Sequence, residues 1–179
     1  MRLVAACWAA ALVAVTLVGS AEASYAIAGG TPREQAQVRA ALEVSTFDWG
    51  VLPPVAVRIV RGAPSSAAPG DIVLDANLLD AGRFSWGVVL HEFAHELDFL
   101  LLDDAERAEL ASLLGGGSWW ASPGLGHDDL TSERFASALA WASWPARDNV
   151  MGPAPMIPGF GELVEGLVAS HQLYSDSLR

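Results

Sequence analysis

Lysine is absent from the 179-residue chain, and cysteine occurs only once, at Cys7. All 10 basic residues are therefore arginines, and they face 21 acidic residues, so the net charge is −11. A chain this acidic is poorly suited to bind nucleic acid or an anionic membrane surface. One cysteine cannot form an intramolecular disulfide, and Cys7 lies in an amino-terminal apolar run. A metal bound further along the chain would need histidine or carboxylate ligands.

That amino terminus combines one arginine, the long apolar run and the small-residue pattern Ala21-Glu22-Ala23. The combination is typical of a secretory signal peptide, so we predict a leader at residues 1–23, cleaved after Ala23, and a secreted chain. The alternative is an uncleaved membrane anchor, because the apolar run is nearly long enough to span a bilayer. Residues 24–179 keep 9 basic and 20 acidic residues and suffice for one domain with a sizeable core.

Periodicity and capping signals along the chain predict an α+β fold. The predicted helices cover residues 31–44, a stretch that begins near 83–86, and residues 103–114, 131–144 and 160–174. The predicted strands are residues 55–61 and 71–75. We expect residues 24–30 to be a mobile lead-in, 62–70 a loop, and 149–160 irregular because three prolines fall there.

The most informative stretch is residues 88–98, VVLHEFAHELD, which contains the pattern H-E-x-x-H. Residues four apart lie on the same face of a helix, so His91 and His95 can bind one zinc ion. Glu92 lies beside them, where its carboxylate can take a proton from a water molecule at the metal. The alternative is two exposed histidines on an ordinary amphipathic helix. The apolar residues around the motif favour a buried helix and therefore the metal site.

A catalytic zinc site normally has three protein ligands, so a third must come from elsewhere in the chain. The candidates are Glu133, Asp98, His127, Asp128 and Asp129. Asp98 lies about one helical turn past His95 and is better placed to orient a ligand imidazole than to bind the metal. Glu133 is preferred because it lies on a predicted helix, whereas His127 and the two aspartates after it lie in a glycine-rich loop. A rigid helix holds a ligand more accurately than a loop does.

Two segments, HEFAHELD at residues 91–98 and ERFASALA at residues 133–140, resemble the paired motifs of the gluzincin zinc peptidases. Within that family the chain looks most like the type represented by the catalytic domain of anthrax lethal factor and related small zincins. The resemblance covers about residues 71–174. It implies a zincin-like fold with a small upper β-sheet, an active-site helix beneath it and a mostly helical lower half.

The same resemblance implies a zinc-dependent peptidase that acts on peptide or protein substrates. The zinc ligands would be His91, His95 and Glu133, and Glu92 would be the general base. It also implies that the edge strand of the sheet pairs with an extended peptide, and this strand would be about residues 72–74.

Three positions depart from the gluzincin pattern. Ala94 replaces the usual glycine but is also small. Ser137 replaces an acid four residues after the third ligand, and we assign the supporting role of that acid to Asp98. Gly126 stands where a tyrosine is expected, and His127 is the available substitute for stabilising the oxyanion. Otherwise His127 is a solvated loop residue.

Two further questions stay open at the level of sequence. Trp119 and Trp120 can rim the cleft and grip apolar side chains, or they can cover the core. A catalytically silent zinc-binding domain that recognises a protein partner is the alternative function, although such a domain has no use for Glu92 as a base. The sequence does not indicate an oligomeric state.

Overall fold

The computed structural model describes residues 25–120, 124, 126–151 and 157–177. These residues form an α+β fold, in agreement with the prediction from the sequence. The predicted leader at residues 1–23 lies outside the described residues. In the described part of the chain, no helix combines the length and the apolar character that a membrane span requires.

One mixed sheet carries all the strands of the described chain, in the order β1-β2-β4-β3. The strands are β1 Tyr25–Gly29, β2 Val55–Val60, β3 Ser66–Ala68 and β4 Asp71–Asp75. Strands β1, β2 and β4 run parallel, whereas β3 pairs antiparallel with β4. Strand β3 therefore forms the edge of the sheet next to β4.

The sheet corrects three expectations from the sequence. Strand β1 occupies the segment expected to be a mobile lead-in, because it pairs with β2 some 30 residues later (Tyr25 with Val55). Strand β3 lies inside the segment expected to be a loop. The edge strand on this side of the sheet is therefore β3 and not residues 72–74, which lie within β4 between two neighbours. Pairing with neighbouring strands, rather than the propensity of the small residues in β3, decides these assignments.

The helices agree closely with the sequence prediction. They are α1 Pro32–Val44, α2 Ala76–Leu79, α3 Trp86–Leu101, α4 Asp104–Leu113, α5 Thr131–Ser143 and α6 Phe160–Ser177. Helix α1 begins with a complete capping box, in which Thr31 and Glu34 satisfy each other's backbone N–H groups. Helix α2 was not expected, and α6 ends three residues later than predicted.

Helix α3 lies at the centre of the fold, in contact with α1, α5, β3 and β4. Its apolar side chains enter the core, and the ring of Phe93 meets those of Tyr25 and Trp49 at centroid distances of 5.9 Å each. The helix also buries five polar side chains, namely His91, Glu92, His95, Glu96 and Asp98. Buried polar groups require hydrogen-bond partners, so polar contacts as well as apolar packing hold this helix in place.

One of these groups, Glu96, ties the sheet to the helix. Its Oε2 accepts a hydrogen bond of 2.7 Å from the backbone N–H of Gly70, in the turn between β3 and β4. Gly70 has φ +79°, a conformation that favours glycine. Since Glu96 follows His95 directly, this bond fixes the β3–β4 hairpin relative to the histidines.

Candidate metal centre

The two histidines of the H-E-x-x-H motif lie one turn apart on α3 and face each other. Their ring centroids are 4.7 Å apart, and their Nε2 atoms are 3.1 Å apart. Both side chains are buried. The Nε2 atoms of His91 and His95 lie 3.2 Å and 3.3 Å from Oε2 of Glu133. Three nitrogen and oxygen donors therefore converge on one point.

Glu133 reaches this point because the start of α5 is fixed by the preceding loop. The backbone N–H groups of Thr131 and Ser132 donate to the carbonyls of Ser118 and Trp119, at 2.9 Å and 3.3 Å. These bonds satisfy amides at the helix start that have no partner within the helix. They place Glu133 in the first turn of α5, although it lies 38 residues beyond His95.

The donor atoms of His91, His95 and Glu133 all lie within 4.8 Å of one another, so these residues can hold a metal ion. The chain matches no protein-family model, no curated protein and no solved structure. Only the donor chemistry therefore bears on which metal would bind. Two imidazoles and one carboxylate are a donor set typical of catalytic zinc.

Burial and mutual contacts set the protonation of the three groups. Burial lowers the pKa of His91, which favours the neutral imidazole that a metal requires. Burial also acts to lower the pKa of His95, but the hydrogen bond and charge of Glu133 raise it overall. For Glu133, burial acts to raise the pKa, but the hydrogen bonds from both histidines hold it well below its usual range. In the metal-free protein, His95 is thus the histidine that more readily holds a proton.

These directions predict a pH dependence of zinc binding. Because the pKa of His95 is raised, a proton must leave this imidazole before a metal binds at any pH below that pKa. Zinc affinity should therefore fall as the pH is lowered through the raised pKa of His95, approaching about tenfold per pH unit for each proton displaced. Calorimetric titrations in two buffers of different ionisation enthalpy count the protons released. Zinc binding that releases no proton at neutral or mildly acidic pH would contradict the assignment of His95.

Glu92 lies beside the two histidines of the candidate metal centre but outside the group of converging donors. It is buried and lines the same cleft as the two histidines. Burial raises the pKa of Glu92 to about 7, with a lowering contribution from His95. A carboxyl group that titrates near neutral pH is suited to accept and release a proton during a reaction.

His127 lies at the mouth of the cleft, in the short 3-10 turn His127–Asp129. Its side chain is 74% exposed, yet its Nε2 is 3.1 Å from Oε2 of Glu133. The residue is thus solvated and at the same time in contact with the metal-binding group. Asp129 instead accepts a hydrogen bond from the backbone N–H of Gly126, at 3.1 Å.

Ser137, rather than Asp98, supports a ligand imidazole. Its Oγ lies 3.2 Å from Nδ1 of His91, which leaves Nε2 of His91 free to bind a metal. The Asp98 carboxylate accepts 2.8 Å hydrogen bonds from Arg107 Nε and Trp119 Nε1. The expectation that Asp98 orients a histidine is therefore wrong. Asp98 is three residues after His95, so the two side chains point about 60° apart around the helix axis, and Asp98 meets other neighbours.

Substitution of Ser137 should affect mainly zinc affinity, whereas substitution of Asp98 should affect mainly the stability of the fold. We expect Ser137→Ala to weaken zinc binding by about tenfold with little effect on unfolding, because it removes a hydrogen bond to a ligand. Asp98→Ala should instead lower the free energy of unfolding by about 3–5 kcal/mol, because it leaves Arg107 and Trp119 without their buried acceptor. Zinc titration and urea unfolding of both variants measure the two effects. The reverse pattern would restore Asp98 as the supporting residue.

The metal-binding group opens into a cleft of about 300 Å³. Ser66 and Ala67 of the edge strand β3 line one part of it, and Trp120 lines another. The sequence left open whether Trp119 and Trp120 rim the cleft or cover the core, and each tryptophan takes one of these two positions. Trp119 is buried in the core and packs against Phe135 at a centroid distance of 5.5 Å. Trp120 is 42% exposed and belongs to the cleft.

Proposed function

We propose that the chain is a secreted zinc-dependent peptidase of the gluzincin type. The observation that carries the proposal is the convergence of two imidazoles from α3 and one carboxylate from α5 within 4.8 Å. Glu92, a buried carboxyl group with a pKa of about 7, lines the same cleft. A structural metal site has no need of such a base, whereas hydrolysis does.

In the proposed reaction, His91, His95 and Glu133 would hold the metal and Glu92 would move protons. A zinc ion bound there would polarise the scissile carbonyl and acidify a water molecule. Glu92 accepts a proton as the water oxygen bonds to the carbonyl carbon, and it delivers this proton to the leaving nitrogen as the C–N bond breaks. His127, at the mouth of the cleft, stabilises the negative charge that develops on the carbonyl oxygen.

A peptide is favoured as substrate by the edge strand beside the site. Strand β3 pairs with β4 on one side, and its small side chains Ser66 and Ala67 line the cleft. An extended peptide can add to such an edge through backbone hydrogen bonds. The bond between Glu96 and Gly70 holds the hairpin in register with α3. A peptide paired with β3 would therefore have its backbone at a fixed distance from His91 and His95.

Digestion of a peptide library by the purified mature protein tests the proposal. We expect cleavage that stops on treatment with a chelator and returns on addition of zinc, together with about one zinc per chain. Stoichiometric zinc without cleavage of any peptide would favour the catalytically silent zinc-binding domain. Failure to bind zinc would contradict both functions.

A further inference from the structure

Three aromatic rings form a nearly parallel row that leads away from the candidate metal centre. The ring centroids of His95 and Phe99 are 6.0 Å apart with an interplanar angle of 19°. Those of Phe99 and Trp120 are 5.6 Å apart with an angle of 12°. Phe99 and Trp120 both line the cleft, and Trp120 is 42% exposed. The row thus begins at a metal ligand and ends at solvent.

A buried scaffold holds the exposed end of this row. Trp120 follows Trp119, whose indole N–H donates to the fully buried Asp98. Arg107 donates to the same carboxylate and to the backbone carbonyl of Asp98, at 2.8 Å and 2.7 Å. The guanidinium carbon of Arg107 lies 5.3 Å from the centroid of the Trp120 ring. An exposed tryptophan that is already held in place loses little conformational freedom when a ligand binds.

The rings of the row and the charged groups near it favour one kind of substrate side chain. Phe99 is stacked between His95 and Trp120, so a substrate ring would meet the edges of these rings, where edge-to-face contacts add to the gain from burial of apolar area. The guanidinium of Arg107, which is ion-paired with Asp98 and Asp104, already lies over the Trp120 ring, so a cationic side chain would have to displace it there. The carboxylates of Glu92 and Glu133 in the cleft disfavour an acidic side chain. A neutral aromatic side chain meets neither penalty.

The edge strand brings such a side chain within reach. In an extended peptide paired with β3, successive side chains point to opposite faces, so every second one faces the same side of the cleft. The row starts at His95, so the side chain that meets it belongs to a residue close to the scissile bond.

We propose that Phe99 and Trp120 bind an aromatic side chain of the substrate next to the scissile bond and give the enzyme its cleavage preference. This inference rests on the proposed peptidase function and names the substrate class of the same site. Phe99 and Trp120 act here as specificity-determining residues, while the hydrolytic groups remain those on α3.

A matched set of peptides tests this proposal on the zinc-loaded, full-length mature protein. The peptides differ at one residue, which is Phe, cyclohexylalanine or Ala, placed in turn at each position around the cleaved bond. At one position we expect kcat/KM to be about tenfold higher for Phe than for Ala, with cyclohexylalanine between them. Trp120→Ala should bring this Phe-to-Ala ratio close to one while zinc stoichiometry is kept.

Phe84→Ala serves as the matched control, because Phe84 is also an exposed aromatic residue (54%) but does not line the cleft. It should keep the wild-type ratio. A Phe-to-Ala ratio that is the same in Trp120→Ala as in the wild-type protein would overturn the proposal. Equal loss of preference in Phe84→Ala would overturn it as well, because the effect would then not belong to the row.

A binding measurement separates this proposal from the peptidase function itself. Fluorescence anisotropy of labelled peptides, in which the scissile amide is replaced by a methylene-amine, gives affinities without cleavage. Tighter binding of the Phe peptide by the wild-type protein but not by Trp120→Ala supports the aromatic site even if no natural peptide is hydrolysed. Equal affinity of the wild-type protein for the Phe and Ala peptides overturns the aromatic site even if hydrolysis is observed.

Discussion

Glu92→Ala is expected to retain zinc and to lose peptide hydrolysis by about 10²–10⁴-fold in kcat, the usual contribution of a general base. The carboxylate of Glu92 lines the cleft but is outside the three converging donors, so its removal should leave the metal affinity nearly unchanged. His95→Ala, which removes one of those donors, should lose both zinc and hydrolysis. Zinc stoichiometry and single-turnover cleavage of one library peptide measure the two properties for each variant.

Two further variants sharpen this test. Glu92→Gln keeps the size of the side chain and removes only the ability to exchange a proton, so it should match Glu92→Ala in lost activity. Glu109→Gln, at an exposed position of α4, makes the same chemical change away from the cleft and should behave as the wild-type protein. Cleavage by Glu92→Ala at the wild-type rate would show that the proposed mechanism is wrong.

The part of the site that the sequence predicts is the part that depends on local spacing. His91 and His95 are four residues apart, and a helix brings them together whatever the rest of the chain does. Glu133 could be preferred over its rivals because it alone among the downstream candidates lies on a helix with apolar anchors. The structure confirms that these three residues form a group able to hold a metal ion.

The parts that the sequence did not predict depend on contacts between distant segments. Strand β3 consists of serine and alanine, which have weak strand propensity, and exists through its pairing with β4. Its position as the edge strand follows from that pairing. The hydrogen bond between Glu96 and Gly70, which holds the hairpin to α3, joins residues 26 apart. No periodicity in the sequence signals such a bond.

The partners of the Asp98 side chain could not be predicted from its position on α3. Its position one turn past His95 predicted a contact with a ligand imidazole, whereas the fully buried Asp98 carboxylate has other partners. The partner is decided by which element packs on that side of the helix, and the side chains found there are Arg107 and Trp119. The supporting contact to His91 comes instead from Ser137 on α5, one turn after Glu133. Helix α5 therefore supplies both a ligand and the support of another ligand.

Glu133→Ala is expected to release zinc and to abolish hydrolysis, with the fold largely kept. The carboxylate is the only oxygen in the converging group, and its Oε2 lies within 3.3 Å of both imidazole nitrogens. The helix that carries it is anchored independently by the buried Phe135 and Leu139, so loss of the carboxylate should leave α5 in place. Zinc titration, far-ultraviolet circular dichroism and peptide cleavage of the purified variant measure the three expectations.

His127→Ala is the partner experiment, because His127 also contacts Oε2 of Glu133, at 3.1 Å, but from an exposed turn. A loop histidine that is 74% exposed is poorly restrained as a ligand, whereas it can reach an oxygen of a bound substrate. We expect this variant to keep zinc and to lose about 10²–10³-fold in kcat, as when one oxyanion donor is removed. Asp129→Asn, in the same turn, should keep both zinc and activity. Loss of zinc in His127→Ala with retention in Glu133→Ala would reverse the ligand assignment and would contradict the proposed gluzincin-type site.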